Sequence, residues 1–123
     1  MYDVTTIGSA LQDLYVFSKQ FHVHADPRKS SGKSEYFEFG TKIELDDIFF
    51  GIGGGASNAA FTFKNQGLKT ACLARVGSDG VGIDVKNRVK KYGIKDLIVV
   101  DKNKRTGRSV VFLGRSGEKT VLV

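Results

Sequence analysis

The segment Gly51-Ile52-Gly53-Gly54-Gly55-Ala56-Ser57-Asn58 decides how this sequence is interpreted. It joins an apolar stretch to a helix-like stretch, residues 59–66. Glycine loses more conformational entropy on folding than any other residue, so a glycine cluster indicates a backbone with a special task. A tight turn and the close approach of a ligand are the two tasks that fit here. Asn58 adds a side chain that can both donate and accept hydrogen bonds.

Length and composition indicate one small cytoplasmic domain. The chain has 123 residues, of which 41% are hydrophobic and 26% charged. Its apolar runs are shorter than the roughly 18 residues that a membrane span requires, and the N-terminus lacks a signal-peptide pattern. The one cysteine, Cys72, lies in an apolar run, which predicts a buried thiol in a reducing compartment. We therefore expect a cytoplasmic protein with no membrane partner.

The net charge of +6 comes largely from two groups of basic residues. These are Lys86, Arg88, Lys90 and Lys91, followed by Lys102, Lys104, Arg105 and Arg108. Proteins that bind single-stranded nucleic acid interleave such cations with aromatic residues, and these groups have none. We interpret them as a solvated helix face and a polar turn, and we predict no nucleic-acid partner.

The pattern predicts an α/β fold. Before the glycines it is β-rich and irregular, with strands at 2–7, 14–17, 36–39 and 43–45 and a loop over 22–34. After them come a helix ended by Gly67, a buried strand at 70–76, and a second helix that Ser78 or Asp79 caps and Gly93 ends. A buried strand at 97–100 and a hairpin of 108–113 with 120–123 follow. Short connections between strands and helices favour parallel strands.

The end of the sequence falls inside an apolar strand pattern at 120–123. Domains seldom stop within a strand whose apolar side chains need a partner. We expect the chain to be a fragment of a longer protein.

Two nucleotide-binding interpretations of the glycine segment meet objections. A phosphate loop of the Walker A type ends in Gly-Lys-Ser/Thr, where this sequence has Ala56-Ser57-Asn58; the triplet Gly32-Lys33-Ser34 lacks the motif's earlier glycine and a following helix. Residues 51–56 do match the dinucleotide fingerprint G-x-G-x-x-G/A. However, the acidic residue expected about 20 positions later is missing, because the next strand ends in Arg75-Val76-Gly77. A dinucleotide-binding oxidoreductase is thus the weaker alternative.

A third interpretation uses most of the chain. Residues 53–60 (Gly-Gly-Gly-Ala-Ser-Asn-Ala-Ala), then Gly67, then residues 75–82 (Arg-Val-Gly-Ser-Asp-Gly-Val-Gly) closely resemble the first signature of the ribokinase-like, PfkB-type carbohydrate kinases. Residues 8–13 (Gly-Ser-Ala-Leu-Gln-Asp) resemble the family's opening strand-end motif, and Thr106-Gly107 before a hairpin resembles its later pattern.

This resemblance implies the N-terminal part of a three-layer α/β/α fold with a small β-sheet lid. The core would comprise about 1–13 and 51–101, and the lid strands about 14–50 and 107–123. Family members transfer the γ-phosphoryl group of ATP, usually with Mg²⁺, to a hydroxymethyl group of a sugar, nucleoside or related alcohol. The second family signature, Asp-Thr-x-Gly-Ala-Gly-Asp, is absent here. We expect chain 1–123 to bind the acceptor, to carry neither catalytic base nor ATP site, and to be inactive alone.

The resemblance assigns acceptor binding to Asp13, Gly53, Gly54 and Asn58. Asp79 is expected to cap a helix, and no metal site is expected because no cysteine or carboxylate pair accompanies His22 and His24. The lid's aromatic residues make a homodimer through the lid a possible assembly.

Two departures from the family bear on the acceptor. Ribokinase-type members have asparagine at the position of Leu11 and lysine at that of Gly55, so ribose is in doubt as the acceptor. A leucine at position 11 instead resembles the pattern of adenosine kinases. The acceptor stays open among sugars and nucleosides. The alternative outside the enzymes is a sugar- or nucleoside-binding module, or a dimerisation unit.

Overall fold

The computed structural model describes residues 1–115 and 117–123. The chain divides into two compact units. Unit 1 comprises Met1–Asp13, Phe50–Ser109 and Val123, and unit 2 comprises Leu14–Phe49 and Val110–Leu122. Among the described residues, no helix combines the length and apolar character needed to cross a membrane.

The described secondary structure comprises eleven strands and two helices. In chain order they are β1 (Val4–Ile7), β2 (Leu11–Phe17), β3 (His22–Ala25), β4 (Lys33–Tyr36), β5 (Asp47–Gly53), α1 (Gly55–Asn65), β6 (Thr70–Leu73), β7 (Arg75–Gly77), α2 (Gly80–Lys91), β8 (Lys95–Asp96), β9 (Val99–Asp101), β10 (Arg108–Leu113) and β11 (Lys119–Leu122). Strands β2, β5 and β10 each run from one unit into the other, so each contributes residues to both.

Unit 1 is an α/β structure with parallel strands, as predicted. One sheet has the order β1-β6-β8, and β7 pairs with β9; all of these pairs are parallel. The buried apolar core of this unit is formed mainly by small and β-branched side chains from α1, α2, two strands and the connections between elements. Its members are Ala10, Ala56, Ala60, Cys72, Ala74, Val76, Val85, Val89, Ile94 and Ile98.

The two helices of unit 1 begin and end close to where the sequence predicts. Val85 and Val89 are fully buried, as expected for apolar residues one turn apart on an amphipathic helix. Past the helix ends, Gly67 N donates to Lys64 O at 3.0 Å and Gly93 N donates to Lys90 O at 2.9 Å. These bonds satisfy carbonyl groups that the helices leave unpaired, so both predicted glycine stops are confirmed.

Unit 2 contains the antiparallel hairpin of β3 with β4 and most of a four-stranded sheet with the order β11-β10-β2-β5. Aromatic contacts hold it together: Phe21 packs edge-on against Phe37 with ring centroids 5.4 Å apart, and Tyr15 stacks on Phe49 at 4.6 Å. The predicted hairpin of β10 and β11 is confirmed, with Val111 opposite Val121. Ser116 in its turn lies outside the described residues.

Three local predictions in this region are wrong. Residues 22–34 are not one loop, because β3 and the start of β4 form a hairpin there. The strand expected at 36–39 lies earlier, at Lys33–Tyr36, and residues 43–45 have no regular structure. β3 has only four residues, all of them exposed, so the brief alternation of His22-Val23-His24-Ala25 is too short to identify a strand.

Two further predictions need correction in unit 1. The apolar run 70–76 is divided between β6 and β7, which pair with different strands, and an apolar run does not reveal a change of partner. The segment 97–100 is not a buried strand, since Leu97, Val99 and Val100 are exposed and only Ile98 among them is buried. Hydrophobicity alone does not show what covers a strand.

Candidate functional site

The glycine segment changes from strand to helix within two residues. Gly53 is the last residue of β5, and α1 begins at Gly55, earlier than the helix-like stretch 59–66 predicted. Between them Gly54 has φ 100°, a conformation that side chains other than glycine rarely adopt. A Cβ on Gly54 would lie 2.5 Å from the Ser9 carbonyl oxygen, so the close approach to this segment also requires glycine.

Ser9 binds the first backbone amides of α1. Gly55 N donates to the Ser9 hydroxyl at 3.0 Å, and Ala56 N donates to the Ser9 carbonyl at 3.0 Å. Helix N-termini bind phosphate through such amides when they are open to a ligand. Because the protein itself occupies two of them, this helix start is poorly suited to cradle a phosphate. That agrees with the missing Walker A ending.

The Asp13 carboxylate lies directly against Gly53. A Cβ on Gly53 would fall 2.1 Å from Asp13 Oδ2, far closer than any stable contact. The Ser109 hydroxyl donates a hydrogen bond to Asp13 Oδ1. Asp13, Gly53 and Ser109 thus come from three separate strands, β2, β5 and β10, and meet within unit 1.

Asn58 lies in the first turn of α1, where its backbone N–H donates to Gly54 O at 2.9 Å. The residue is exposed, and within the described residues its side chain has no hydrogen bond. The structure thus brings Asp13 and Gly53 into contact and places Gly54 next in the chain. Asn58 is one helical turn further on.

A second group of polar residues surrounds Asp79, which caps α2 as predicted. Its carboxylate accepts from the Thr106 hydroxyl at 2.6 Å, Gly82 N at 2.9 Å and Thr106 N at 3.0 Å. These hydrogen bonds, that of the Thr106 hydroxyl foremost, lower the pKa of Asp79 to about 2. A Cβ on Gly82 would lie 2.2 Å from the Gly77 carbonyl oxygen, which accounts for the glycine three positions after Asp79. Because its carboxylate already accepts three hydrogen bonds from the protein, Asp79 has a structural role.

The sequence matches the model of one protein family, described as pfkB family carbohydrate kinase, over residues 1–123. The chain belongs to this family. Solved structures agree in fold: the ribokinase from Giardia lamblia (20% identity, TM-score 0.76, 99% of this chain and 35% of that one) and the microbiome-derived acarbose kinase (19%, 0.78, 99% and 36%). A nucleoside kinase from Methanocaldococcus jannaschii is also similar (18%, 0.70, 99% and 36%). No curated protein matches this chain.

This pfkB family member spans about a third of the length of the solved structures that it resembles, 35% for the Giardia ribokinase. The ribokinase-like fold predicted from the sequence is confirmed by these likenesses. At such low identities the structures show the fold alone, so substrate and reaction need a separate argument.

Two residues that contact the candidate site are not singled out by the sequence. Ser109 is one position of the predicted hairpin, and Ser9 belongs to the opening motif. The sequence feature that could have drawn attention to Ser109 is a small hydroxyl residue directly before the apolar run 110–113. Sequence alone could not show that its hydroxyl lies beside Asp13, 96 positions away in the chain.

The basic residues of α2 are mostly paired. Lys86 Nζ contacts Asp96 at 3.0 Å, Lys90 contacts the same carboxylate at 3.4 Å, and Arg88 contacts Asp84 at 3.0 Å. Arg88 and Lys90 are exposed, as expected of a solvated helix face, whereas Lys86 is only 22% exposed in its ion pair with a buried carboxylate. The described part of the chain contains no group of three or more His, Cys, Asp or Glu that could hold a metal ion.

Proposed function

We propose that this chain supplies the acceptor site and lid of a pfkB-type kinase. Such an enzyme transfers the γ-phosphoryl group of ATP to a hydroxymethyl group of a sugar, nucleoside or related small alcohol. One observation carries the proposal: within a pfkB family chain, the Asp13 carboxylate is held against the bare backbone of Gly53. A carboxylate in that place is suited to hydroxyl groups.

The chemistry of these residues favours a polyol over an anion. Asp13 would accept hydrogen bonds from two neighbouring hydroxyl groups, and bonds to a charged acceptor are stronger than neutral ones. Gly53 and Gly54 would shape the site through their neighbours, because their missing side chains leave room for the Asp13 carboxylate and the Ser9 carbonyl. The exposed amide of Asn58 would bind a further hydroxyl by donating or accepting.

ATP and Mg²⁺ would be held by residues outside this chain. Phosphoryl transfer depends on positioning and on charge stabilisation around the phosphates. The glycine segment provides little of either, because Ser9 occupies two of the amides at the start of α1. We therefore assign the chain's own residues to acceptor binding, and we expect no ATP turnover from residues 1–123 alone.

Unit 2 is the proposed lid. Closing a lid over the acceptor excludes water, so that ATP is attacked by the acceptor instead of being hydrolysed. Its exposed aromatic residues, among them Phe37 and Phe39, offer a seam for a homodimer. Size-exclusion chromatography with light scattering would detect the dimer, and a monomer at all concentrations would contradict it. The buried thiol of Cys72 fits a cytoplasmic location.

Calorimetry on the purified chain tests the proposed function. The panel is D-ribose, D-fructose, adenosine and, for the oxidoreductase alternative, NAD⁺. We expect one of the first three to bind with a stoichiometry of one, and NAD⁺ not to bind. Binding of NAD⁺ without binding of any hydroxyl compound would overturn the proposal.

Two further observations separate a kinase from a binding module. A coupled assay with residues 1–123, ATP and the bound acceptor should give only background turnover; acceptor-dependent turnover would overturn the assignment of the ATP site elsewhere. The coding sequence after Val123 should continue into an Asp-Thr-x-Gly-Ala-Gly-Asp motif. A stop codon there would favour the module.

A further inference from the structure

We propose that Ser109 is a positioning residue for the acceptor, acting through Asp13. Its hydroxyl holds the Asp13 carboxylate in the one orientation that the acceptor meets. The inference rests on the proposed function, since it assigns a role within the same site. In this role Ser109 preorganises the Asp13 carboxylate before the acceptor binds.

The Ser109 hydroxyl belongs to a residue that is more deeply buried than Asp13. Ser109 is only 3% exposed, whereas Asp13 is half-buried. The hydroxyl donates to Asp13 Oδ1, as it must towards a carboxylate, which can only accept. A residue this buried cannot be the main contact for a ligand, so its influence passes through Asp13.

The backbone of Gly53 also limits the position of the carboxylate. The position of a Cβ on Gly53 would be 2.1 Å from Asp13 Oδ2 and 2.7 Å from Oδ1, so the carboxylate lies close against this α-carbon. A hydroxyl from β10 and a glycine from β5 therefore hold one side chain of β2. Ordering a side chain in advance removes an entropic cost that binding would otherwise carry.

Without the hydroxyl, the carboxylate would lose one of the contacts that restrain it, and the acceptor would have to supply part of its ordering. The loss should appear in acceptor affinity and not in the catalytic step. A residue that only stabilises the fold would behave differently, because its removal would act equally with and without the Asp13 carboxylate.

A double-mutant cycle tests this role. The variants are Ser109→Ala, Asp13→Ala and the pair together, in the full 123-residue chain, with the tightest-binding member of the ribose, fructose and adenosine panel as the probe. We expect S109A to weaken binding about tenfold in the wild-type background and by less than about twofold in the D13A background. Ser109→Thr keeps the hydroxyl and should bind within about twofold of wild type.

Each result has one meaning. Unchanged binding by S109A, with weakened binding by D13A, would overturn the role of Ser109 while leaving the proposed function intact. An equal loss in both backgrounds would also overturn it, since that indicates a general structural effect. Full binding by D13A, or no binding of any panel member by the wild type, would instead overturn the proposed function itself. If S109A does not fold, Ser109→Cys, similar in volume but a weak donor, replaces it and should show the same loss.

Discussion

Units 1 and 2 are built in different ways. Unit 1 packs two amphipathic helices with parallel strands around a continuous buried core, and its helix ends are capped. Unit 2 is mainly an antiparallel sheet and a hairpin with few buried apolar side chains, such as Val16 and Phe21. Every residue of β3 and β11 is exposed. Dense packing thus belongs to unit 1.

The candidate site follows this difference. Asp13, Gly53, Gly54, Asn58 and Ser109 all belong to unit 1. A binding site needs side chains held in place by packed neighbours, which unit 1 supplies and an open sheet does not. The open faces of unit 2 suit a part that moves or that meets a partner. The predictions below test this contrast, beginning with the largest expected effect.

Replacing Gly53 should disable the site without unfolding unit 1. In Gly53→Ala the new Cβ would fall on the Asp13 carboxylate, which would have to leave its present position and its hydrogen bond with Ser109. We expect acceptor affinity to fall about 100-fold, because small displacements of positioned groups carry losses of that size. Calorimetry measures it.

Gly55→Ala is the matched control. A Cβ there would meet nothing within 4 Å, so binding should stay unchanged. Equal losses in the two variants would show that the glycine segment as a whole, and not the contact with Asp13, determines binding.

Truncating an apolar side chain should lower the stability of the protein more in unit 1 than in unit 2. Val85 is fully buried in unit 1, and Val85→Ala should lower the free energy of unfolding by about 2 kcal/mol. Val121 in unit 2 is 46% exposed, and Val121→Ala should change it by less than about 0.5 kcal/mol. Urea unfolding gives both values. Similar losses at the two positions would contradict the contrast in packing.

The Asp79 carboxylate should make unit 1 sensitive to acid. Its pKa is about 2 in the folded chain and 3.8 ordinarily, so its stabilisation is complete above pH 3.8 and disappears as the pH falls through 2. Asp79→Asn should unfold a few degrees below wild type at pH 5, and this difference should shrink towards pH 2. Thermal melts at several pH values measure it; a constant difference would argue against the titration of Asp79.

Glu35 in unit 2 should behave in the opposite sense and more weakly. Burial raises the pKa of Glu35, and its Oε1 is buried without a hydrogen-bond partner among residues 1–115 and 117–123. A raised pKa means that the charged form opposes folding, so the penalty is present at pH 7 and is relieved as the pH falls through the folded pKa. Glu35→Gln should therefore melt slightly above wild type at pH 7, with the gain lost by pH 4. A lower melting temperature at pH 7 would contradict this.

The same contrast explains what the sequence could reveal. Helix α2 was predictable, because Val81, Val85 and Val89 form a stripe between the Asp79 cap and Gly93. Strands β3 and β4 were missed, since a hairpin with exposed or half-buried side chains needs no apolar alternation. Regular patterns arise where side chains must be buried, and unit 2 buries few.

The site was predictable only in part. Family-like motifs pointed to Asp13 and to the glycines, and the structure brings Asp13 and Gly53 into contact. Ser109 and Ser9 act through contacts between residues far apart in the chain, which no local pattern encodes. The strand run 70–76 failed for a related reason, because the change of partner at Ala74 depends on where other strands lie.

The central claim is that the Asp13 carboxylate binds the acceptor. Calorimetry of wild type, Asp13→Ala and Asp47→Ala with the tightest-binding member of the ribose, fructose and adenosine panel tests it directly. Asp47 is an exposed carboxylate at the start of β5, so its removal makes the same change of charge away from the site. We predict that D13A weakens binding by about 10- to 100-fold, the loss expected for hydrogen bonds to a charged acceptor, while D47A leaves it within about twofold of wild type. Full binding by D13A would contradict the account.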